Sequence, residues 1–168
     1  MWSLMTARLL VVHHSPTPTM QRLTDAVLSG ARDESIEGVD VLVKPALEAT
    51  AEDVLEADGY LLGTTANFGY MSGALKHFFD TTFLQVGGAL SSTGEADESA
   101  GGTARRPFGL YVHGRYDTGG AVRSVLSIVG ALQWRQAAEV LEVLGDVGPE
   151  QQEAAYELGG TISALLAP

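Results

Sequence analysis

Leu9-Leu10-Val11-Val12 is an apolar run with no polar interruption, the first of five short apolar runs that each give way to helix-like spacing. A strand apolar at every position has to be covered on both faces, which is the situation in a parallel sheet flanked by helices. After the first run, Met20, Leu23, Val27 and Ala31 recur at helical spacing. Thr17 stands where an N-cap belongs, and Pro18 at the first helical position costs no hydrogen bond. Val39-Asp40-Val41-Leu42-Val43 predicts the second strand, with a short acidic helix over Ala51 to Ala57. Tyr60-Leu61-Leu62-Gly63 predicts the third, and a helix carrying Leu75, Phe78 and Phe79 follows the loop from Thr64 to Tyr70. Phe108-Gly109-Leu110-Tyr111-Val112 predicts the fourth, then a loop from His113 to Gly120 and a helix with Val122, Val125, Leu126 and Val129. The fifth strand is expected within Ala137 to Leu144, where Glu139 and Glu142 point to an edge or a half-exposed face, and Pro149 opens a last helix. Strands alternating with helices imply right-handed crossovers and an α/β sandwich with helices on both faces of a parallel sheet.

The 168 residues fit one domain, 1–168, with no internal repeat. Residues 87–106, rich in Gly, Ser, Ala and acidic side chains, are expected to form a flexible loop. The chain has no cysteine, which excludes disulfides and thiolate chemistry, so a redox role has to come from a bound cofactor. No carboxylate or histidine spacing suggests a metal site or a nucleophile triad. A net charge of −11 repels a phosphate backbone, and no nucleic-acid partner is expected. No apolar run approaches the ~20 residues of a membrane span, so no membrane insertion is expected. Met1-Trp2-Ser3-Leu4-Met5-Thr6 lacks the pattern of a signal peptide, and a cytoplasmic location is the default expectation.

Ligands of open α/β sheets bind beyond the carboxyl ends of the strands, where three unusual loops lie. In the first, Ser15, Thr17 and Thr19 offer hydroxyls beside a helix N-terminus, a cradle that suits a phosphate without a lysine. The same residues suit plain helix capping equally well. In the second, Asn67 suits the polar edge of a heteroaromatic ring and Phe68 an apolar wall, while Gly69 allows close approach or positive φ. A simple turn with Phe68 in the core is the alternative. In the third, Gly114, Gly119 and Gly120 offer main-chain amides, and His113 stands at the strand end either toward the ligand or as a hydrogen-bonded structural residue. Asp80 and Asp117 read as solvated or capping residues.

His14-Ser15-Pro16-Thr17-Pro18-Thr19-Met20 resembles the hydroxyl-rich phosphate loop of flavodoxin-like proteins. The segment from Ala57 to Asp80, with Asn67-Phe68-Gly69-Tyr70 and Gly73-Ala74-Leu75-Lys76-His77-Phe78-Phe79-Asp80, is similar to the NAD(P)H-dependent FMN reductase and quinone oxidoreductase branch of that superfamily. The resemblance implies a flavodoxin-like three-layer sandwich with a five-stranded parallel sheet of order 2-1-3-4-5. It implies flavin mononucleotide (FMN) as cofactor, NAD(P)H as reductant and a quinone or other small-molecule acceptor, with the chemistry on the flavin N5 and no catalytic side chain. By position it assigns Ser15, Thr17, Thr19 and Met20 to the phosphate loop. Thr64, Thr65, Asn67, Phe68 and Gly69 fall to the ribityl chain and ring, and His113 and Gly114 to the ring's other side. Tyr70, Arg115 and Tyr116 are candidates for the acceptor pocket, and a homo-oligomer, dimer or tetramer, is expected. Three positions depart from the family pattern: Pro18 replaces a glycine, Met20 a small polar residue and Thr65 a proline. A flavodoxin-type electron carrier, and a member of the fold that has lost its flavin, are the competing expectations.

Overall fold

The computed structural model describes residues 5–88, 92, 93, 95 and 102–168. The sheet is built from β1 (Ala7–His13), β2 (Val39–Pro45), β3 (Gly59–Asn67), β4 (Tyr70–Met71), β5 (Pro107–Gly114), β6 (Arg135–Gln136) and β7 (Leu141–Leu144). The helices are α1 (Pro18–Ala31), α2 (Ala51–Glu56), α3 (Gly73–Thr82), α4 (Gly119–Ala131) and α5 (Pro149–Leu166). The order runs β2-β1-β3-β5, all parallel, with β6 and β7 both pairing with β5 at the edge. Counting β6 and β7 together as the fifth strand recovers the expected 2-1-3-4-5 order.

Side chains alternate across the strands, and this divides the core in two. Leu9 and Val11 of β1 meet α1 and α5 through Met20, Leu23, Val27, Ala155, Leu158 and Ile162. Leu10 and Val12 meet α2, α3 and α4 through Val54, Leu75, Phe78, Phe79, Val125 and Val129. Thr17 caps α1 by accepting a hydrogen bond from the Met20 amide at 3.1 Å, with Pro18 as the first helical residue, as expected from the sequence.

Three differences from expectation have physical causes. The fifth strand is split, pairing with Pro107–Phe108 through Arg135–Gln136 and with Tyr111–Gly114 through Leu141–Leu144. The end of the third strand does not stop at Gly63 but runs to Asn67 and turns back as β4, an antiparallel hairpin. Of the segment expected to be flexible, residues 89–91, 94 and 96–101 lie outside the described residues, but its C-terminal end is tied into the core. There Thr103 is fully buried, donates to the Val86 carbonyl at 2.7 Å and accepts from Trp134 Nε1 at 2.7 Å. Arg106 Nη1 donates to the carbonyls of Leu55 and Ala57 at 2.9 and 2.8 Å, holding the C-terminus of α2.

Candidate functional site

The carboxyl ends of β1, β3 and β5 open into a cleft of about 500 Å³, a common size for a small-molecule site. Its lining comes from all three loops: Thr17 and Thr19, the stretch Thr65 to Gly69, and His113 to Asp117. Thr65 and His113 are register partners on β3 and β5 and form its floor.

The second loop is a two-residue hairpin. Asn67 pairs with Tyr70, and the two residues between them, Phe68 (φ +50°) and Gly69 (φ +78°), both have positive φ, the requirement of a type I′ turn. Such turns favour Asn-Gly; a bulky phenylalanine at positive φ is strained. Phe68 is moreover fully exposed, at 110% of its reference area, and Tyr116 of the third loop is 94% exposed. Two aromatic side chains held in solvent on two loops of one cleft leave an apolar slot there. The hairpin is fixed from behind, because a Cβ on Gly120 at the start of α4 would fall on the Gly69 carbonyl oxygen. Thr65 Oγ1 donates to Asn67 Oδ1 at 2.9 Å, which leaves the Asn67 amide N–H2 as the free donor.

At the other end of the cleft, Thr17 and Thr19 present hydroxyls at the N-terminus of α1. Ser15 does not line the cleft. Its Oγ lies 2.8 Å from His13 Nδ1 and 2.8 Å from Thr24 Oγ1, and Thr24 Oγ1 lies 2.9 Å from the hydroxyl of Tyr111. Tyr111 is fully buried and Thr24 is its hydrogen-bond partner, so the phenol donates to Thr24. Ser15 Oγ is thus held between Thr24 Oγ1 and His13 Nδ1, away from the cleft. Burial, and next the charge of His14, hold the His13 imidazole below its ordinary value, with Asp25 opposing.

This arrangement has a pH consequence. A histidine with a lowered folded pKa binds fewer protons in the folded chain than in the unfolded one, so its contribution to stability is whole above about pH 6.5 and is lost as pH falls through the folded value. Thermal melts between pH 7.5 and 5.5 are expected to show a larger fall in Tm for the wild type than for His13→Asn. Parallel falls would show that burial does not hold the His13 imidazole below its ordinary value.

Other positions singled out in the sequence lie elsewhere. Met20 is buried in the core beneath α1, because its side chain falls on the helix face that packs against the sheet. Thr64 is also fully buried; its hydroxyl accepts from the Ser72 amide at 2.9 Å and donates to the Thr65 carbonyl at 2.8 Å, tying β3 to the start of α3. Tyr70 is half-exposed on β4, outside the cleft lining. Arg115 lines the cleft, and its 3.4 Å pair with Asp146 is exposed and weak. Ala66 and Asp117 line the cleft without having been singled out for it; Asp117 also caps Gly119 at 2.8 Å, and an Asp two residues before Gly-Gly was the available signal. Asp80 pairs with Lys76 at 2.7 Å. Among the described residues no group of three or more metal-ligating side chains stands together, and no helix is long and apolar enough to cross a membrane.

No family model matches the chain. A flavodoxin of Aquifex aeolicus (strain VF5) is 37% identical over 83 residues, covering 49% of this chain and 44% of that protein, so the match spans less than half of that relative's length. A flavodoxin from the domain Archaea superposes with a TM-score of 0.75 over 95% of this chain and 98% of its own, at 15% identity. The fold is flavodoxin-like. Within that flavodoxin-like set, a Streptococcus pneumonia TIGR4 flavodoxin gives a TM-score of 0.70 at 21% identity, covering 95% and 99% of the two chains. A flavodoxin, WrbA-like protein from Agrobacterium tumefaciens gives 0.70 at 15% identity, covering 96% and 98%.

Proposed function

We propose that this chain is an FMN-binding electron-transfer protein whose cofactor lies in the cleft between Thr17–Thr19 and the Phe68 hairpin. The observation that carries this reading is the pair of exposed aromatic side chains, Phe68 and Tyr116, on two loops that line one cleft, one of them held at positive φ. Strain and apolar exposure together point to a ligand that covers the ring. The donor set fits the group from end to end. Thr17 and Thr19 hydroxyls with the start of α1 suit a phosphate. Thr65, His113 and Gly114 floor the middle, and Asn67 offers amide donors to a ring edge. Flavin, when bound, supplies reversible electron transfer that no side chain of this cysteine-free chain provides. The residues bind it, orient it and exclude water from one side.

The similarity to proteins named as flavodoxins supports the carrier reading ahead of the NAD(P)H-dependent reductase reading. A net charge of −11 also suits docking to basic redox partners. The reductase reading keeps one argument, the similarity of the helix from Gly73 to Asp80 to the reductase branch. A single experiment separates the readings. Apoprotein titrated with FMN is expected to quench flavin fluorescence to saturation at micromolar concentration, and the loaded protein to oxidise NADH or NADPH with benzoquinone no faster than free FMN. Turnover well above free FMN would favour the reductase, and no saturation would sink both.

A further inference from the structure

We propose that β2 is an interface between two copies of this chain, whose β2 strands pair antiparallel about Leu42 and join the two sheets into one. Among the described residues β2 pairs with β1 alone, so its outer edge is open over 7 residues, whereas the opposite edge of the sheet is divided between the short β6 and β7. The Gly38 carbonyl and the Ala46 amide, just outside the two ends of β2, bond to β1. Backbone direction alternates along a strand, so Asp40, Leu42 and Lys44 also turn their amides and carbonyls to β1, and those of Val39, Val41 and Val43 face outward. Arg32 Nη2 reaches the outward carbonyl of Val41 at 3.5 Å, a long and exposed contact on an oxygen with a second lone pair. Pro45 takes an outward position, where an edge strand tolerates the missing amide. No residue of β2 is fully buried, while Leu9 to Val12 of β1 are not exposed at all. A row of outward donors and acceptors of this kind is a template for another strand.

The side chains of β2 select the occupant. Val39, Val41 and Val43 pack on the α1 and α5 side of the sheet and Leu42 on the α2 side. Asp40 and Lys44 share the side of Leu42, where they lie 3.3 Å from Arg8 and 4.0 Å from Asp53. Antiparallel pairing centred on Leu42 sets Asp40 of each copy opposite Lys44 of the other, Val41 opposite Val43, and Leu42 opposite itself. Two-fold symmetry repeats each match, and opposite charges directly across a strand pair attract. Val41 and Val43 exchange their outward amides and carbonyls, and the Val39 amide meets the Pro45 carbonyl. A slip of two residues either way sets Asp40 or Lys44 opposite Leu42 of the other copy and loses both ion pairs. The strand carries one acid and one base in a chain of net charge −11, so two copies meet along it with less repulsion than their overall charge imposes. A partner of one charge sign has no such match to a strand of balanced charge.

Sedimentation of the full chain between micromolar and millimolar concentration is expected to show a monomer–dimer equilibrium, whatever the cleft binds. Asp40→Lys and Lys44→Asp each set like charges across both pairs and are expected to raise the dissociation constant about tenfold or more. The double variant, which exchanges the two charges, should return it to within about threefold of wild type. Leu42→Cys puts one thiol into a chain without cysteine, at the symmetry axis, where facing Cα atoms of such a pair lie about 4.5 Å apart and within disulfide reach. Oxidised glutathione should link it into a covalent dimer, whereas Lys44→Cys, about 14 Å from the same position in the other copy, should not link. A wild type that stays monomeric to millimolar concentration overturns the proposal. So does a dimer indifferent to the single reversals, or Lys44→Cys linking as readily as Leu42→Cys. Thermal melts establish that each variant is folded, and if a charge variant is not, the two cysteine variants decide.

Discussion

Gly159→Ala is expected to lower stability by about 2–3 kcal/mol, where the same change on an open helix face raises it by up to about 1 kcal/mol. Gly159 lies on α5 where α5 crosses α1. A Cβ there would fall on the Val27 carbonyl oxygen and within 2.9 Å of its carbon, and 3.0 Å from the Ala31 amide nitrogen. On α1, a Cβ on Gly30 would fall in the same way on the Tyr156 carbonyl. The helices are locked at that distance by Ser163, which is buried and donates to the Ala31 carbonyl at 2.8 Å, and by the Tyr156 hydroxyl on Asp33. Because backbone cannot move aside as a side chain can, the helices have to separate, and Val27, Leu158 and Ile162 lose packing with them. Gly130 on α4 has nothing within 4 Å of its would-be Cβ and serves as the control. Gly130→Ala should raise the urea midpoint and Gly159→Ala should lower it, while Gly159→Leu should fail to fold. Shifts of the same sign for the two alanine variants would show that the crossing can relax.

The order of strands and helices was legible because it depends on periodicity alone. Leu9 to Val12 are apolar without a break because β1 is covered on both faces, and the helical spacing from Met20 to Ala31 marks the face that lies on it. The close crossing of α1 and α5 was not legible, because Gly30 and Gly159 are far apart in the chain and neither position is explained by its neighbours in sequence. The cleft was legible as three loops, since strand ends in such a sheet face one side. Its inner wiring was not. Ser15 looks like a phosphate ligand until its hydroxyl is found between His13 and Thr24, the latter 9 residues further on and itself bonded to the Tyr111 hydroxyl. Thr64 looks like a loop hydroxyl until the Ser72 amide is found on it. In each case a side chain with two possible partners was assigned by tertiary contact, which local pattern does not encode. The hairpin at Phe68-Gly69 escaped for a different reason: the usual Asn-Gly signal is displaced by one residue, with Asn67 as the flanking position and phenylalanine in the turn.

That displacement makes Phe68→Asn the most informative substitution in the cleft. Asparagine tolerates the left-handed region and Asn-Gly is the preferred type I′ pair, so the variant removes strain and an exposed apolar ring together. Without ligand, Phe68→Asn is expected to be more stable than wild type by about 1 kcal/mol. The same change removes one of the two exposed aromatic side chains of the slot. An aromatic ring covered by a planar ligand contributes about 1.5–3 kcal/mol through burial, so FMN affinity should fall by about tenfold to a hundredfold. Opposite signs are the decisive feature, because a residue kept for stability would show loss in both measurements and a residue of no consequence would show neither. Thermal melts of the apoprotein and a fluorescence titration with FMN measure the two quantities independently. A variant that gains stability and keeps wild-type affinity would mean that the ligand does not rest on Phe68, and the cofactor would have to be sought elsewhere than in this slot.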